Sequence, residues 1–458
     1  MAAPETMVEG SVPLAGWGLN LRSNCLLREP ENPEQVVAWL DRRGSVPRGV
    51  GRSYGDAALN GGGQVMGMRR LDRYLSFQRA TGTLHCESGV TLAQIIHDFA
   101  PRGWFPMITP GTKFVTVGGC IANDVHGKAH HAQGCFSNCV DHMHVLLASG
   151  EVVRASREEN SDLFWGTFGG MGLLGIVLDA QIRLKPIETS YFRQKAIRVN
   201  DLEGLLAALE ENDREYPYSM ATLDVMATGA RLGRGVLTVG DNATRAELPP
   251  QLAADPLRIA GPAKLSVPFE LPEITLNPLS IRVLNAAIQW FQARPQTFKH
   301  YDAFVYPLDI LNYWNRGYGS RGFTQYQFVI PFADGLNRMR AILDTIMTSG
   351  ELPFLNVFKR FGKESGGVLS FPCEGYTLAI DFPIRQNTVA LVRRLDAMVL
   401  EAGGRVYLGK DSYVEASMFR AMYPAIDPWL EIKAKYDPNG VFTSDIGRRV
   451  GLARSATS

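Results

Sequence analysis

The pattern of apolar and polar positions predicts short strands and helices in alternation over the first 190 residues. "TLHCESGV" (83–90) alternates as a strand does, and "TLAQIIHDFAPRG" (91–103) has the spacing of a helix with Thr91 as its N-cap. "HMHVLLASGEVVRA" (142–155) is typical of a hairpin that turns at Ser149-Gly150, and "GIVLDAQIRL" (175–184) is a further alternating strand. We therefore predict one α+β domain over about residues 15–190.

A second and more regular pattern covers residues 323–408. "FTQYQFVIPF", "FLNVFKRFG", "YTLAIDFPI" and "RVYL" are predicted strands, and "GLNRMRAILDTIMTSG" and "NTVALVRRLDAMVLEAGG" are predicted amphipathic helices. Their order, βαββαβ, is that of a split βαβ unit. The sequence therefore predicts a second domain, built on an antiparallel sheet that helices cover.

The apolar stretch at 274–295 allows two interpretations. It predicts an ordinary packed helix if Val283, Ala286, Ala287 and Trp290 form one buried stripe, which the spacing favours. Alternatively, the stretch belongs to a mobile flap that meets a lipid tail or a membrane surface.

Composition excludes some function classes. The net charge of +1 on 458 residues gives no electrostatic reason to expect nucleic acid. No apolar run reaches about 18 residues, and "MAAPETMVEG" has no features of a signal peptide. The six cysteines form no C-x-x-C pair. We therefore expect a reduced protein in the cytoplasm or peripherally at the inner face of the plasma membrane.

Two glycine-rich loops suggest a phosphate-bearing ligand. "GVGRSYGDAALNGGG" (49–63) contains six glycines, and a second loop covers residues 111–127. Glycine lets backbone N–H groups approach a ligand closely, and successive N–H groups form an anion-binding nest. The alternative is two tight turns that serve only the fold.

The segment "GMGLLG" (170–175) matches the G-x-G-x-x-G dinucleotide motif by letter only. That motif requires a strand before it and a helix after it, whereas the alternating strand "GIVLDAQIRL" follows here. The sequence therefore argues against a Rossmann domain.

Three segments together resemble the FAD-binding domain of the vanillyl-alcohol oxidase-like flavoproteins: "PRGVGRSYGD", "PGTKFVTVGGCIANDVHGK" and "DLFWGTFGGMGLLGIV". The resemblance implies an α+β, two-domain, PCMH-type fold. Residues 15–190 would bind FAD, 191–410 would bind substrate, and 411–458 would return to the FAD-binding domain. The residues that it assigns to FAD are Gly49, Val50, Gly51, Arg52, Ser53, Tyr54, Gly55, Asp56, Gly111, Thr116, Val117, Gly118, Gly119, Asn123, Asp124, His126, Gly175, Ile176, Val177 and Tyr407.

The resemblance also bears on how FAD is attached. Many relatives carry a histidine in a G-x-G-H-S loop that bonds covalently to the flavin, and this chain has Arg52 at that position. Because arginine cannot form that bond, we expect non-covalent FAD.

Further segments, among them "QYQFVIP", "LNVFKRFG", "DFPI" and "VFTSDIGRR", are similar to family members that act on polyprenylphosphoryl-β-D-ribose. This implies oxidation of the ribose 2'-hydroxyl to a keto sugar, the first half of epimerisation to an arabinose lipid for cell-envelope glycans. It also implies a partner keto-reductase of the short-chain dehydrogenase type, a quinone-like electron acceptor and peripheral membrane contact. The alternatives are an oxidase or dehydrogenase of a soluble polyol, sugar or aldonolactone, and a non-catalytic FAD-binding subunit.

The same resemblance assigns catalytic positions to Lys410, Lys359, His126 and Tyr54. Alcohol oxidation needs a base for the hydroxyl proton, and a buried lysine with a lowered pKa could serve. We favour Lys410 beside the reacting hydroxyl and Lys359 as a ligand of phosphate or hydroxyl. The predicted substrate-binding residues are Lys128, Gln325, Gln327, Thr377 and Lys410.

Two departures from the family leave the substrate open. Ala379 stands where relatives carry a cysteine, and Thr377 stands where they carry an asparagine. Lipid length, or the sugar itself, could therefore differ.

Histidines at helical or strand spacing raise the question of a metal. His126 and His130 lie four residues apart, and His142 and His144 would share one face of a strand. Without an H-E-x-x-H pattern or a carboxylate at ligand spacing, we predict no metal site and favour surface or hydrogen-bonded histidines.

Overall fold

The computed structural model describes residues 10–263, 265–294 and 297–454. Most of "MAAPETMVEG" and residues 455–458 of the predicted C-terminal segment lie outside the described residues. Within the described part of the chain, no helix is long and apolar enough to cross a membrane. Among the described residues, no two of the six cysteines form a disulfide bond.

Residues 10–186 form two sheets with short helices. A four-stranded sheet has the order β1-β2-β4-β3, and a larger sheet has the order β5-β6-β10-β8-β9, with β7 also paired to β10. The strands are β1 (Val12–Ala15), β2 (Arg22–Arg28), β3 (Ser45–Arg48), β4 (Gln64–Gly67), β5 (Tyr74–Gln78), β6 (Thr83–Glu87), β7 (Trp104–Pro106), β8 (Val140–Leu146), β9 (Val152–Ser156) and β10 (Ile176–Pro186). The helices are α1 (Pro33–Ala38), α2 (Leu92–Phe99), α3 (Val117–Ala122), α4 (His130–Gln133) and α5 (Ser161–Thr167).

The described residues between 191 and 406 build an eight-stranded sheet of order β15-β11-β13-β12-β18-β19-β17-β20. Its strands and a small β14–β16 pair are β11 (Tyr191–Val199), β12 (Tyr218–Leu223), β13 (Gly235–Asn242), β14 (Leu265–Ser266), β15 (Phe298–His300), β16 (Leu311–Asn312), β17 (Phe323–Pro331), β18 (Asn356–Phe361), β19 (Gly375–Pro383) and β20 (Arg405–Val406). The helices are α6 (Leu202–Asn212), α7 (Pro250–Ala253), α8 (Pro278–Gln292), α9 (Tyr301–Val305), α10 (Gly335–Thr348), α11 (Thr388–Glu401), α12 (Ala416–Met422), α13 (Ile426–Tyr436) and α14 (Asp445–Arg449).

The strongly periodic segments fold as predicted. Thr91 caps α2 with a reciprocal bond to Gln94, and β8 and β9 form the predicted hairpin with Gly150 in a left-handed turn. β17, α10, β18, β19, α11 and β20 follow in the predicted βαββαβ order, and every strand pair among them is antiparallel. Strand β10 follows "GMGLLG", as the argument against a Rossmann domain requires.

The prediction that α8 buries an apolar stripe of Val283, Ala286, Ala287 and Trp290 is wrong. Val283 and Trp290 are each 60% exposed, and Ala286 and Ala287 are exposed as well. The buried side chains of α8 are Ile281 and Asn285, one turn apart. Asn285 donates to Asp224, so a polar contact holds the inner face and the apolar stripe lies outward.

The C-terminal segment packs against the first sheets. Trp429 of α13 donates to the carbonyl of Gly166 at 2.8 Å. At the end of α14, Arg449 forms ion pairs with the buried carboxylates of Asp56, at 2.7 Å, and Asp411, at 2.8 Å. These contacts join the first glycine loop, the end of the eight-stranded sheet and the last helix.

We expect Arg449→Met to destabilise the fold by about 3 kcal/mol, because it leaves two buried carboxylates without their cation. Urea unfolding followed by tryptophan fluorescence measures the change. Arg420→Met is the matched control, since Arg420 pairs with Asp427 at the surface and should contribute less than about 1 kcal/mol. Equal midpoints for the two variants would contradict the assignment.

Candidate active site

The backbone of the first glycine loop is arranged to bind an anion. Within the described chain, the N–H groups of residues 50–53 donate to no protein acceptor. Gly51 has φ of +68°, the left-handed conformation that turns successive N–H groups toward one point. A Cβ on Gly49 would lie 2.3 Å from Oγ1 of Thr116, so the two glycine loops touch only because this side chain is missing.

The two charged side chains of this loop, Arg52 and Asp56, are engaged elsewhere. The guanidinium of Arg52 lies over the ring of Trp17, 3.8 Å from its centroid, and Asp56 is paired with Arg449. A Cβ on Gly55 would collide with the carbonyl of Asp411 at 2.0 Å. The loop therefore offers a ligand its backbone amides rather than these polar side chains.

The second loop leads into helix α3. Thr116 caps that helix by accepting from the N–H of Gly119 at 3.2 Å. Val117 and Gly118 donate their N–H groups to the carbonyls of Val90 and Ser88, which fixes the loop against the sheet. Gly111 borders open space.

Two polar residues after α3 differ in what they leave free. The buried Oδ1 of Asn123 has no partner within the described chain. The carboxylate of Asp124, by contrast, accepts hydrogen bonds from Ser137, Ser365 and Ser370. Asn123 can therefore turn a polar atom to a cofactor, while the carboxylate of Asp124 holds neighbouring loops together.

Residues 175–177 lie where β10 begins beside β8. Ile176 pairs with Leu146 and is fully buried, and Val177 pairs with Val145. A Cβ on Gly175 would meet Val145 at 2.5 Å, so packing against β8 already explains this glycine.

His126 lies buried in an aromatic enclosure. Its ring centroid is 4.8 Å from that of Phe361 and 5.1 Å from that of Tyr407, which in turn stacks on Phe371. Burial, followed by the charges of Lys359 and other neighbours, holds the pKa of His126 well below its usual value. The imidazole is therefore neutral.

The neighbours of His126 fix its tautomer. Thr377 donates its hydroxyl to the carbonyl of Phe328, so it must accept from Nε2 of Gln327. That orientation directs the same Gln327 amide nitrogen at Nε2 of His126, 3.0 Å away, and places the imidazole proton on Nδ1. Nδ1 of His126 and Oε1 of Gln327 are both buried without a partner within the described chain, as expected for groups that meet a ligand.

A second chain of hydrogen bonds positions Lys410. Its ammonium nitrogen donates to Oε1 of Gln325, and Nε2 of Gln325 donates to the buried carboxylate of Asp381. Asp381 also accepts from the hydroxyl of Tyr318 at 2.6 Å. The Lys410 nitrogen lies 5.4 Å from the ring centroid of Tyr54, whose burial raises its pKa well above the usual value. Burial lowers the pKa of Lys410 to about 8.

Lys359 and Lys128 complete a group of lysines. Burial, then the charges of Lys410 and Lys128, lowers the pKa of Lys359 to about 7. Burial, followed by the charge of Lys299, also lowers the pKa of Lys128 to about 7. The ammonium nitrogen of Lys128 donates to the carbonyl of Phe304. Among the residues that the structure describes, no carboxylate forms an ion pair with Lys359 or Lys128.

Sequence reasoning missed Asp381 and Tyr318, which hold Gln325 in place. An aspartate inside the apolar strand "YTLAIDFPI" was the available signal, because an unpaired carboxylate is rarely buried. Its partners could not be found from the sequence, since Gln325 lies on the neighbouring strand β17 and Tyr318 precedes that strand.

The residues present fit FAD. The loop at 50–53 offers amides to a pyrophosphate, and the unpaired atoms of Asn123, His126 and Gln327 offer hydrogen bonds to a polar ring. Lys410 and Lys359 border the same interior, because both charges act on His126.

Comparison with known proteins supports FAD as the cofactor. The family described as FAD binding domain matches residues 26–156, and the family described as D-arabinono-1,4-lactone oxidase matches residues 320–450. The decaprenylphosphoryl-β-D-ribose oxidase of Mycolicibacterium smegmatis is 39% identical over 96% of this chain and 97% of its own length. An uncharacterised protein of Streptomyces coelicolor is 35% identical over 79% of this chain and 100% of its own length. Cytokinin dehydrogenase 5 of Arabidopsis thaliana is 38% identical over 27% of this chain and 21% of its own length.

The pKa of Lys359 predicts how stability depends on pH. Between about pH 7 and 10.5 the unfolded lysine is protonated and the folded one is not, so this group's contribution to stability rises with pH across that window. Lys359→Met should therefore raise the melting temperature at pH 7.5 by about 3 °C, and the gain should shrink at pH 9.5. Thermal denaturation at the two pH values measures it. The exposed Lys363→Met should change little, and a fall with Lys359→Met would refute the prediction.

Proposed function

The chain belongs to the decaprenylphosphoryl-β-D-ribose oxidase family of FAD-dependent oxidoreductases, and from this premise we propose that it oxidises the 2'-hydroxyl of a polyprenylphosphoryl-β-D-ribose to the 2'-keto sugar. The observation that carries the proposal is the group of three lysines, Lys128, Lys359 and Lys410, at the interior that also holds His126.

Three neighbouring lysines favour an anionic substrate. Lys128 and Lys410 both act electrostatically on Lys359, so placing a negative charge among them relieves their repulsion. A phosphodiester supplies that charge and oxygen acceptors for lysine donors. Phosphate binding would also raise the pKa of the lysines that contact it.

Lys410 is the proposed base. The lysine donates one N–H to Gln325, and in its neutral form it still presents a lone pair to the substrate hydroxyl. Asp381 accepts hydrogen bonds from both Gln325 and Tyr318, and these bonds hold the Gln325 side chain in the orientation that meets Lys410. In the reaction the substrate C–H and O–H bonds break, a C=O bond forms, and the hydroxyl proton goes to Lys410. FAD, when bound, supplies the acceptor for the two electrons and the hydrogen lost from carbon.

His126, Gln327 and Thr377 are proposed to position rather than to transfer protons. The neutral His126 offers Nδ1–H as a donor, and Gln327 offers Oε1 as an acceptor. Tyr54, with its raised pKa, stays protonated and covers Lys410.

A second candidate is oxidation of a soluble sugar lactone. The match of residues 320–450 to the D-arabinono-1,4-lactone oxidase family favours it. A neutral lactone gives the lysine group no counter-charge, and for that reason we place it second.

The proposed reaction implies two further partners. A keto sugar is consumed by a reductase, for which a short-chain dehydrogenase is the class we propose, and a quinone-like molecule would reoxidise the flavin. We also propose that the outward apolar side chains of α8, such as Val283 and Trp290, meet the lipid part of the substrate or the membrane that carries it.

An anaerobic titration with a polyprenylphosphoryl-β-D-ribose tests the proposed function. The flavin band near 450 nm should bleach with this substrate, and neither free ribose nor D-arabinono-1,4-lactone should bleach it. Lys410→Met should keep bound FAD and lose about 100-fold or more in reduction rate, whereas Lys363→Met should match the unaltered protein. Bleaching by the lactone alone would replace the lead proposal with the second candidate.

The rate of this bleaching should depend on pH through Lys410. Because the neutral amine is the base and its pKa is about 8, the rate should rise about tenfold per pH unit below 8 and level off above it. Stopped-flow absorbance between pH 6 and 9.5 measures the profile. A flat profile would remove Lys410 as the base.

The attachment of FAD can be tested separately. With Arg52 stacked on Trp17 at the position of the family's covalent histidine, acid precipitation should release all flavin into the supernatant. Absorbance of pellet and supernatant measures the division. Flavin that stays in the pellet would show a covalent bond elsewhere on the chain.

A further inference from the structure

Three histidines from two strands lie on one face of the larger sheet in the first part of the chain. Strand β10 lies between β6 and β8, with Gln181 opposite both His85 and His142, and Asp179 opposite His144. The intervening residues Cys86, Met143 and Ala180 are fully buried on the other face. The sheet therefore brings His85, His142, His144 and Asp179 together on its partly exposed side.

The geometry of this histidine cluster suits one metal ion. The three ring centroids are 5.6, 5.7 and 6.2 Å apart, and one ring nitrogen from each histidine lies within 4.8 Å of the others. Three imidazoles around one ion, each with a metal–nitrogen bond of about 2.1 Å, place their ring centroids about 5–5.5 Å apart. Small side-chain rotations would close the difference.

Asp179 provides a carboxylate at the same place. Its Oδ1 lies 2.7 Å from Nε2 of His85 and 2.7 Å from Nδ1 of His144. A carboxylate beside imidazoles acts in metal sites either as a further ligand or as the partner that orients a ligating ring. The side chains of His85 and Asp179 are 23% and 16% exposed, so an ion can reach them while the sheet restrains them.

We propose that His85, His142 and His144, with Asp179, form a binding site for one divalent transition-metal ion of the Zn²⁺ type, which links β6 and β8 across β10. Imidazole with one carboxylate is a donor set for zinc, copper or nickel rather than for calcium or magnesium. The residues of the candidate active site are not among the ligands, and the ion has a structural role.

Zinc titration of the purified FAD-loaded protein tests the site. The purification tag must be one without histidine, or be removed, and the protein is treated with a chelator and exchanged before the titration. Competition with a chromophoric zinc indicator should give one equivalent bound with Kd in the micromolar range or below. Zinc at saturation should also raise the melting temperature.

Variants separate this site from adventitious binding. His142→Gln and His85→Gln, tested singly, should each weaken zinc binding at least tenfold, and Asp179→Asn should weaken it about tenfold or more. His97→Gln is the matched control, because His97 is an exposed histidine beside a carboxylate, Asp98, outside the cluster. The visible spectrum of bound FAD shows that each variant is folded.

Two results would overturn the proposal. One is the absence of a saturable equivalent of zinc at 100 µM. The other is zinc affinity that His142→Gln and His85→Gln leave at the value of the His97→Gln control. Either would return these residues to surface histidines held by a carboxylate.

Discussion

The buried ion group of Asp56, Arg449 and Asp411 is the constraint on which the candidate site depends. Arg449 bonds both oxygens of Asp56, one oxygen of Asp411 and the carbonyl of Val414. Asp56 lies in the first glycine loop, three residues after the amides of residues 50–53, and Asp411 directly follows Lys410. The guanidinium of Arg449 in α14 therefore fixes the first glycine loop relative to Lys410, the proposed base, although these three segments are far apart in sequence.

The candidate site places several lysines together in the buried interior of the protein. Lys359 is buried, and its pKa is displaced by burial and by two neighbouring lysines. A buried lysine with a lowered pKa reduces the free energy of unfolding at neutral pH. The paired strands around Lys359 must offset that cost. The charge of Asp381 acts on Lys410 across space, and the side-chain amide of Gln325 lies between them, hydrogen-bonded to both. This indirect contact leaves the lysine nitrogen free of a permanent ion pair, which a proton acceptor requires.

Sequence periodicity predicted the elements better than their contacts. Helix α2 and the βαββαβ order could be predicted because a single segment contains the whole signal, including the Thr91 cap. The prediction of which face of α8 is buried was wrong. The buried face includes Asn285, which donates a hydrogen bond to Asp224, and the spacing of apolar residues cannot predict such a polar contact. Asp381 and the grouping of His85 with His142 were missed because both depend on which strands become neighbours.

In the candidate site, backbone amides are proposed to bind the cofactor, whereas side chains are proposed to bind the substrate. The first glycine loop would bind the pyrophosphate through backbone amides that the glycine conformation exposes. The spacing of its glycines is visible in the sequence, and resemblance to a known family can therefore detect it. Four of the proposed substrate groups, Gln325, Gln327, Lys359 and Thr377, are side chains on β17, β18 and β19. The register of these strands places Gln325 opposite Asp381 and Lys359 opposite Thr377. Because pairing fixes that register over nine residues of β17 and β19, a change of pocket side chain can alter the substrate without moving the loop that holds the cofactor.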